Sequence, residues 1–100
     1  MVLIVFRSRL RPDIAPSSLE ATGVRMYELA TRMPGFASMS DCTSSDGESV
    51  TIVEFASHET LAAWRNHPEH RAVQERARAE WFSSYRISVA DVVRDKTWSA

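Results

Sequence analysis

An α+β fold is predicted for this chain, with the element order strand, helix, strand, strand, helix, strand and both helices covering one sheet face. Strand-like runs open and close the sequence, and two more flank the turn dipeptide Asp46-Gly47 at its centre. Between them lie two segments whose apolar residues recur at helical spacing. With 100 residues and no repeat or long linker, the chain reads as one domain spanning 1–100, and a 44% hydrophobic share is enough for a core.

The first strand is VLIVFRSRL, Val2 to Leu10, rich in β-branched and aromatic residues. Its two-residue period puts Ile4, Phe6, Ser8 and Leu10 on one face and Leu3, Val5, Arg7 and Arg9 on the other. Ser17 and Glu20 have capping-box spacing, so a helix is expected to start there. Leu19, Gly23, Met26, Leu29, Ala30 and Met33 form its apolar stripe, with Gly23 allowing close approach to the sheet, and Pro34-Gly35 ends it. The segments Gly35 to Ser45 and Glu48 to Ser57 form a hairpin around Asp46-Gly47.

The run HETLAAWRNHPEHRAVQERARAEWF is helical, but Pro68 lacks an amide hydrogen and restricts the residue before it. The helix is therefore expected to break near Asn66-His67 and restart at Pro68. Leu61 and Trp64 share an inner face before the break; His70, Val73, Gln74, Ala77 and Trp81 continue it afterwards. Arg71, Glu75 and Arg78 fall on the opposite, solvated side. In the last strand Tyr85, Ile87 and Val89 alternate with Arg86, Ser88 and Ala90.

This order is the split βαβ pattern of ferredoxin-like domains, with the second helix broken. The sheet face without helices keeps Leu3 and Val5, so a second copy packed face to face is expected to cover it as a homodimer. Arg7, Glu54 and Arg86 are candidates for an ionic network that sets the dimer register, the alternative being an exposed rim.

Composition removes several function classes. A net charge of -1 and interspersed arginines leave no basic footprint for nucleic acid. The opening apolar run is short and followed at once by charge, with no cleavage signal, so a cytoplasmic protein without a membrane partner is expected. The lone Cys42 cannot form an intrachain disulfide and reads as a half-buried strand residue. His67 and His70 with Glu69 or His58 do not fix a third metal ligand by spacing, and no metal site is expected. No G-x-S-x-G elbow or Gly-rich phosphate loop is present.

What remains is a pocket between sheet and helices, lined by Phe6, Ser8, Tyr27, Trp64, His70 and Tyr85, suited to a flat aromatic ligand. Bland alternatives exist for three residues: Trp64 as a core anchor, His70 bonded to a backbone carbonyl near the helix start, and His67 as the N-cap neighbour of Pro68.

The opening strand, RMPGF at Arg32 to Phe36, TIVEFASHETLAAWRNHPEH and the closing YRISVADVV together resemble the antibiotic biosynthesis monooxygenase family of dimeric α+β barrels. The resemblance spans Val2 to Arg94. It implies a ferredoxin-like subunit whose sheet packs on its twin. It also implies either a cofactor-free oxygenase acting on anthrones or quinols, or a haem-degrading enzyme. For the first, His70 is the expected base, Trp64 stacks on the substrate ring, and Tyr85 or Ser8 holds an oxygen; Phe6, Tyr27, His67 and Gln74 complete the substrate site. For the haem branch, Trp64 matches a family residue, but Ser8 stands at the position of an Asn and Gln74 at that of the iron-ligating His. Glutamine is a poor iron ligand beside neutral imidazole, so no cofactor is the first expectation and haem the second. A dimeric module that binds an aromatic metabolite without turnover is the remaining alternative.

Overall fold

The computed structural model describes residues 1–14 and 16–100. Its elements are β1 (Val2–Leu10), α1 (Pro16–Thr31), β2 (Phe36–Thr43), β3 (Ser49–Phe55), α2 (His58–Arg65), α3 (Pro68–Glu80) and β4 (Phe82–Asp91). The sheet runs β2-β3-β1-β4 with antiparallel neighbours throughout, which is the predicted ferredoxin-like α+β arrangement.

The sheet has two unlike faces because side chains alternate along each strand. Val2, Ile4, Val53 and Phe55 point to one side and meet Met26 and Ala30 of α1 and Leu61 and Trp64 of α2, with Val73 of α3 packed against them. All three helices thus lie on that side. Phe55 is fully buried, a contribution of about 1.5–3 kcal/mol for a side chain of its size.

The connections follow from local chemistry. Gly35 has φ +80° and ends the turn after α1; a Cβ there would lie 2.5 Å from Thr60, so both conformation and space call for glycine. Five residues, not a two-residue turn, join β2 to β3. Ser44 and Asp46 side chains satisfy the loop, and Gly47 takes φ +89°. Ser57 and Thr60 cap α2 reciprocally. The helix breaks at Asn66 and His67 and resumes at Pro68, as predicted, with His67 Nδ1 accepting from the Glu69 amide.

Several expectations need correcting. The first helix begins at Pro16, so Ser17 lies inside its first turn instead of capping it. Gly23 makes no close approach to the sheet: a Cβ built on it would meet nothing within 4 Å. Cys42 sits on edge strand β2 and is exposed, not half-buried, because its register with Val50 and Arg7 turns it to the helix-free face.

Candidate active site

A cavity of about 420 Å³ lies between the sheet and helices α1, α2 and α3. Its floor is graded. Across the strands, Met39, Val53, Ile4 and Val89 form an apolar row; Asp41, Thr51, Phe6 and Ile87 form a mixed one; Ser49, Ser8 and Tyr85 form a row of hydroxyls. Successive rows are about 7 Å apart, so a fused-ring molecule lying along the strands would meet carbon at one end and hydroxyls at the other. Phe82 and Phe6 flank the Tyr85 ring at centroid distances of 6.3 and 5.8 Å and brace it at the hydroxyl end.

The helices supply the roof. Trp64 at the end of α2 and His70 in the first turns of α3 are brought together by the break at Pro68. Their rings stack at 3.9 Å between centroids and 14° between planes. His70 Nδ1 lies 3.2 Å from the Trp64 carbonyl oxygen. A carbonyl only accepts, so Nδ1 carries the proton and Nε2 keeps its lone pair. Burial lowers the His70 pKa, with the carbonyl hydrogen bond opposing this and the charge of His67 adding to it. At neutral pH the imidazole is therefore neutral, with its Nε2 lone pair free to accept a proton.

Of the residues singled out in the sequence, Phe6, Ser8, Trp64, His70, Gln74 and Tyr85 line the cavity. Tyr27 does not. It is 49% exposed on the outer side of α1, one residue and about 100° round the helix from buried Met26. His67 is likewise absent from the cavity wall, its ring engaged in capping α3. Trp64 is 5% exposed and gives one ring face to His70, which leaves it less able to stack on a ligand than expected and better placed to hold the imidazole.

Sequence reasoning missed other groups. Arg78, expected on the solvated side, reaches the rim, as does Arg65. Asp41 is the carboxylate among the described lining residues, and Thr51 donates to it at 2.5 Å. Two-residue alternation counted out from the buried Val53 would have placed Thr51 on the floor; Asp41 needed the cross-strand register. The Arg25 guanidinium pairs with Glu69 through two hydrogen bonds of 2.6 and 3.0 Å and bridges α1 to α3. It holds the Glu69 carboxyl below the usual carboxylate range. Among the described residues, no three His, Cys, Asp or Glu side chains converge to hold a metal ion.

Comparison with known proteins follows the same line. The antibiotic biosynthesis monooxygenase family model matches residues 1–76, and the chain belongs to that family. It is 36% identical over 75 residues to the uncharacterised protein YqjZ of Bacillus subtilis, which covers 75% of this chain and 66% of that protein. The structure superposes on Rv0793 from Mycobacterium tuberculosis with a TM-score of 0.82 and 23% identity, covering 96% of this chain and 98% of the other. SnoaB, a cofactor-independent oxygenase from Streptomyces nogalater, matches with a TM-score of 0.77 and 19% identity over 94% of each chain. At those identities the likeness to solved structures concerns the fold.

Proposed function

We propose that this protein is a cofactor-independent monooxygenase that uses O2 on a small aromatic substrate of the anthrone or quinol type, held between sheet and helices in a cytoplasmic homodimer. The observation that carries the reading is the neutral, inward His70 stacked on Trp64 in a cavity whose floor passes from apolar to hydroxyl-bearing. Family membership and the likeness to a cofactor-independent oxygenase support it.

The chemistry is balanced without an external electron source. His70 Nε2 removes a proton from the activated ring carbon, leaving an electron-rich anion stabilised by its phenolic oxygens. Ser8, Ser49 or Tyr85 donates to the developing oxyanion, and the apolar walls keep competing water away. The anion transfers electrons to O2 and forms a carbon–oxygen bond, giving a peroxide that takes up the proton. Loss of the remaining C–H proton then expels water and leaves a carbonyl. CH2 and O2 have become C=O and H2O. Trp64 acts as a positioning residue: its carbonyl fixes the tautomer and its ring fixes the plane of the base.

The residues fit haem poorly. Gln74 stands where the resemblance places the iron-ligating His, and a glutamine side chain is a poor iron ligand beside a neutral imidazole. The test uses an anthrone under 18O2, with chelator-treated protein. One labelled oxygen in the new carbonyl and one O2 consumed per product are expected. Saturable binding with no oxygen uptake would instead make the protein a binding module for aromatic metabolites.

A further inference from the structure

The hydroxyl end of the cavity meets a second, open groove of about 340 Å³ lined by Arg11, Arg78, Phe82, Ser83, Ser84 and Tyr85. Arg78, Phe82 and Tyr85 belong to both walls, so the groove is a mouth of the cavity at the β4 edge of the sheet. The register shift between Arg9 and Leu10 creates it: the alternation of β4 is broken, which puts both Phe82 and Tyr85 on the cavity side and leaves Ser83 and Ser84 between them.

Two guanidinium groups meet there. Arg11 donates from Nε to the Phe82 carbonyl at 3.0 Å and from Nη2 to the Arg78 carbonyl at 2.8 Å, which fixes its plane and covers oxygens at the end of α3 that would repel an anion. Its Nη1 has no acceptor among the described residues. Neither arginine forms a salt bridge among those residues, and Glu80, two positions on from Arg78, is already held by Arg76 at 2.6 Å. Asp41, the carboxylate on the cavity floor, stands on the opposite edge strand, three strand spacings or about 14 Å away. The mouth thus sets two positive charges beside the hydroxyls of Ser83, Ser84 and Tyr85 with no anion to meet them.

We infer that this mouth binds the carboxylate of an anionic aromatic ligand, whose rings lie along the strands in the cavity while Arg78 and Arg11 hold the carboxylate at its end. A guanidinium presents paired N–H donors that match the two oxygens of a carboxylate. Turned end for end, the same ligand would bring its charge to the apolar row of Met39, Val53, Ile4 and Val89, where it has no partner. Arg78 therefore fixes the direction of the ligand as well as its class. The inference rests on the reading of the cavity as an aromatic site and names the substrate class for it.

The test is isothermal titration calorimetry with anthraquinone-2-carboxylate and the neutral, similarly shaped anthraquinone-2-carboxamide. Both already carry the quinone carbonyls, so binding is read apart from oxygenase turnover. Wild type is expected to bind the carboxylate about tenfold more tightly, a preference that shrinks as salt is added. In Arg78→Gln the preference is expected to fall to about twofold and in Arg78→Glu to reverse, with circular dichroism checking that each variant is folded. Arg65→Gln, at the rim but outside the groove, is expected to keep it. Inorganic phosphate at matched ionic strength is expected to leave the carboxylate bound; full displacement would make the groove a site for free anions and overturn the aromatic carboxylate. Equal affinity of wild type for the two probes, or a preference kept in Arg78→Glu or lost in Arg65→Gln, would overturn the assignment while leaving the aromatic cavity. Failure of both probes to bind would overturn it alone if anthrone oxidation is intact, and the cavity reading with it if that oxidation is also absent.

Discussion

In the proposed chemistry His70 is the base, and one neighbour sets both its plane and its proton. Its lowered pKa has two consequences of the same sign. The rate of a base-dependent reaction is expected to rise with pH through a value below the ordinary histidine range and then level off, which a pH profile of kcat/KM reads directly. Folding stability follows the same direction: the unfolded chain binds the proton more readily, so the His70 contribution is complete above the ordinary histidine range and lost as pH falls through it toward the lowered folded value. Gly23 gives a second expectation. It lies on α1 at the cavity wall with open space before it, so Gly23→Ala should stabilise the helix by up to ~1 kcal/mol in denaturant unfolding while weakening binding of a bulky aromatic probe. The sequence pointed to His70 and Trp64 because each lies on the inward apolar stripe of its own helix, before and after the break. It misplaced Tyr27 and Arg78 for a related reason: both flank an inward stripe, where a turn of a few tens of degrees or a long side chain decides between cavity and solvent.

At the scale of elements, the strands and the helix break were legible from local chemistry alone. Alternation set the faces of β1 and β4, and Pro68 set the break, because each depends on a residue and its immediate neighbours. The Asp41 and Thr51 pair was not legible, since it forms only when β2 and β3 take one register. Turns test this local logic. Gly35→Ala combines a positive φ with a clash against Thr60 and is expected to cost at least about 2 kcal/mol in denaturant unfolding. In the β2–β3 loop, the Ser44 hydroxyl, the Glu48 amide and the Arg9 guanidinium hold the Asp46 carboxyl at about 2. The loop's contribution is thus present above the ordinary aspartate range and lost as pH falls toward 2; Asp46→Asn should flatten that part of the acid unfolding curve.

At the scale of the molecule, one sheet presents two unlike faces. Its helix-covered face builds the graded cavity, and its bare face presents an apolar centre with charged ends. Residue Arg7 and residue Phe6, adjacent in sequence, therefore lie on opposite faces by the alternation of a single strand. The most direct measurement is the initial rate of oxygen uptake with dithranol, an anthrone with free phenolic hydroxyls, for wild type beside His70→Ala, corrected for protein-free autoxidation. A saturable wild-type rate that falls by about 100-fold or more in His70→Ala, with dithranol still bound, is the expected result. An unchanged rate in His70→Ala, or no wild-type rate above autoxidation despite saturable binding, would contradict the role given to His70 and, in the second case, the oxygenase itself.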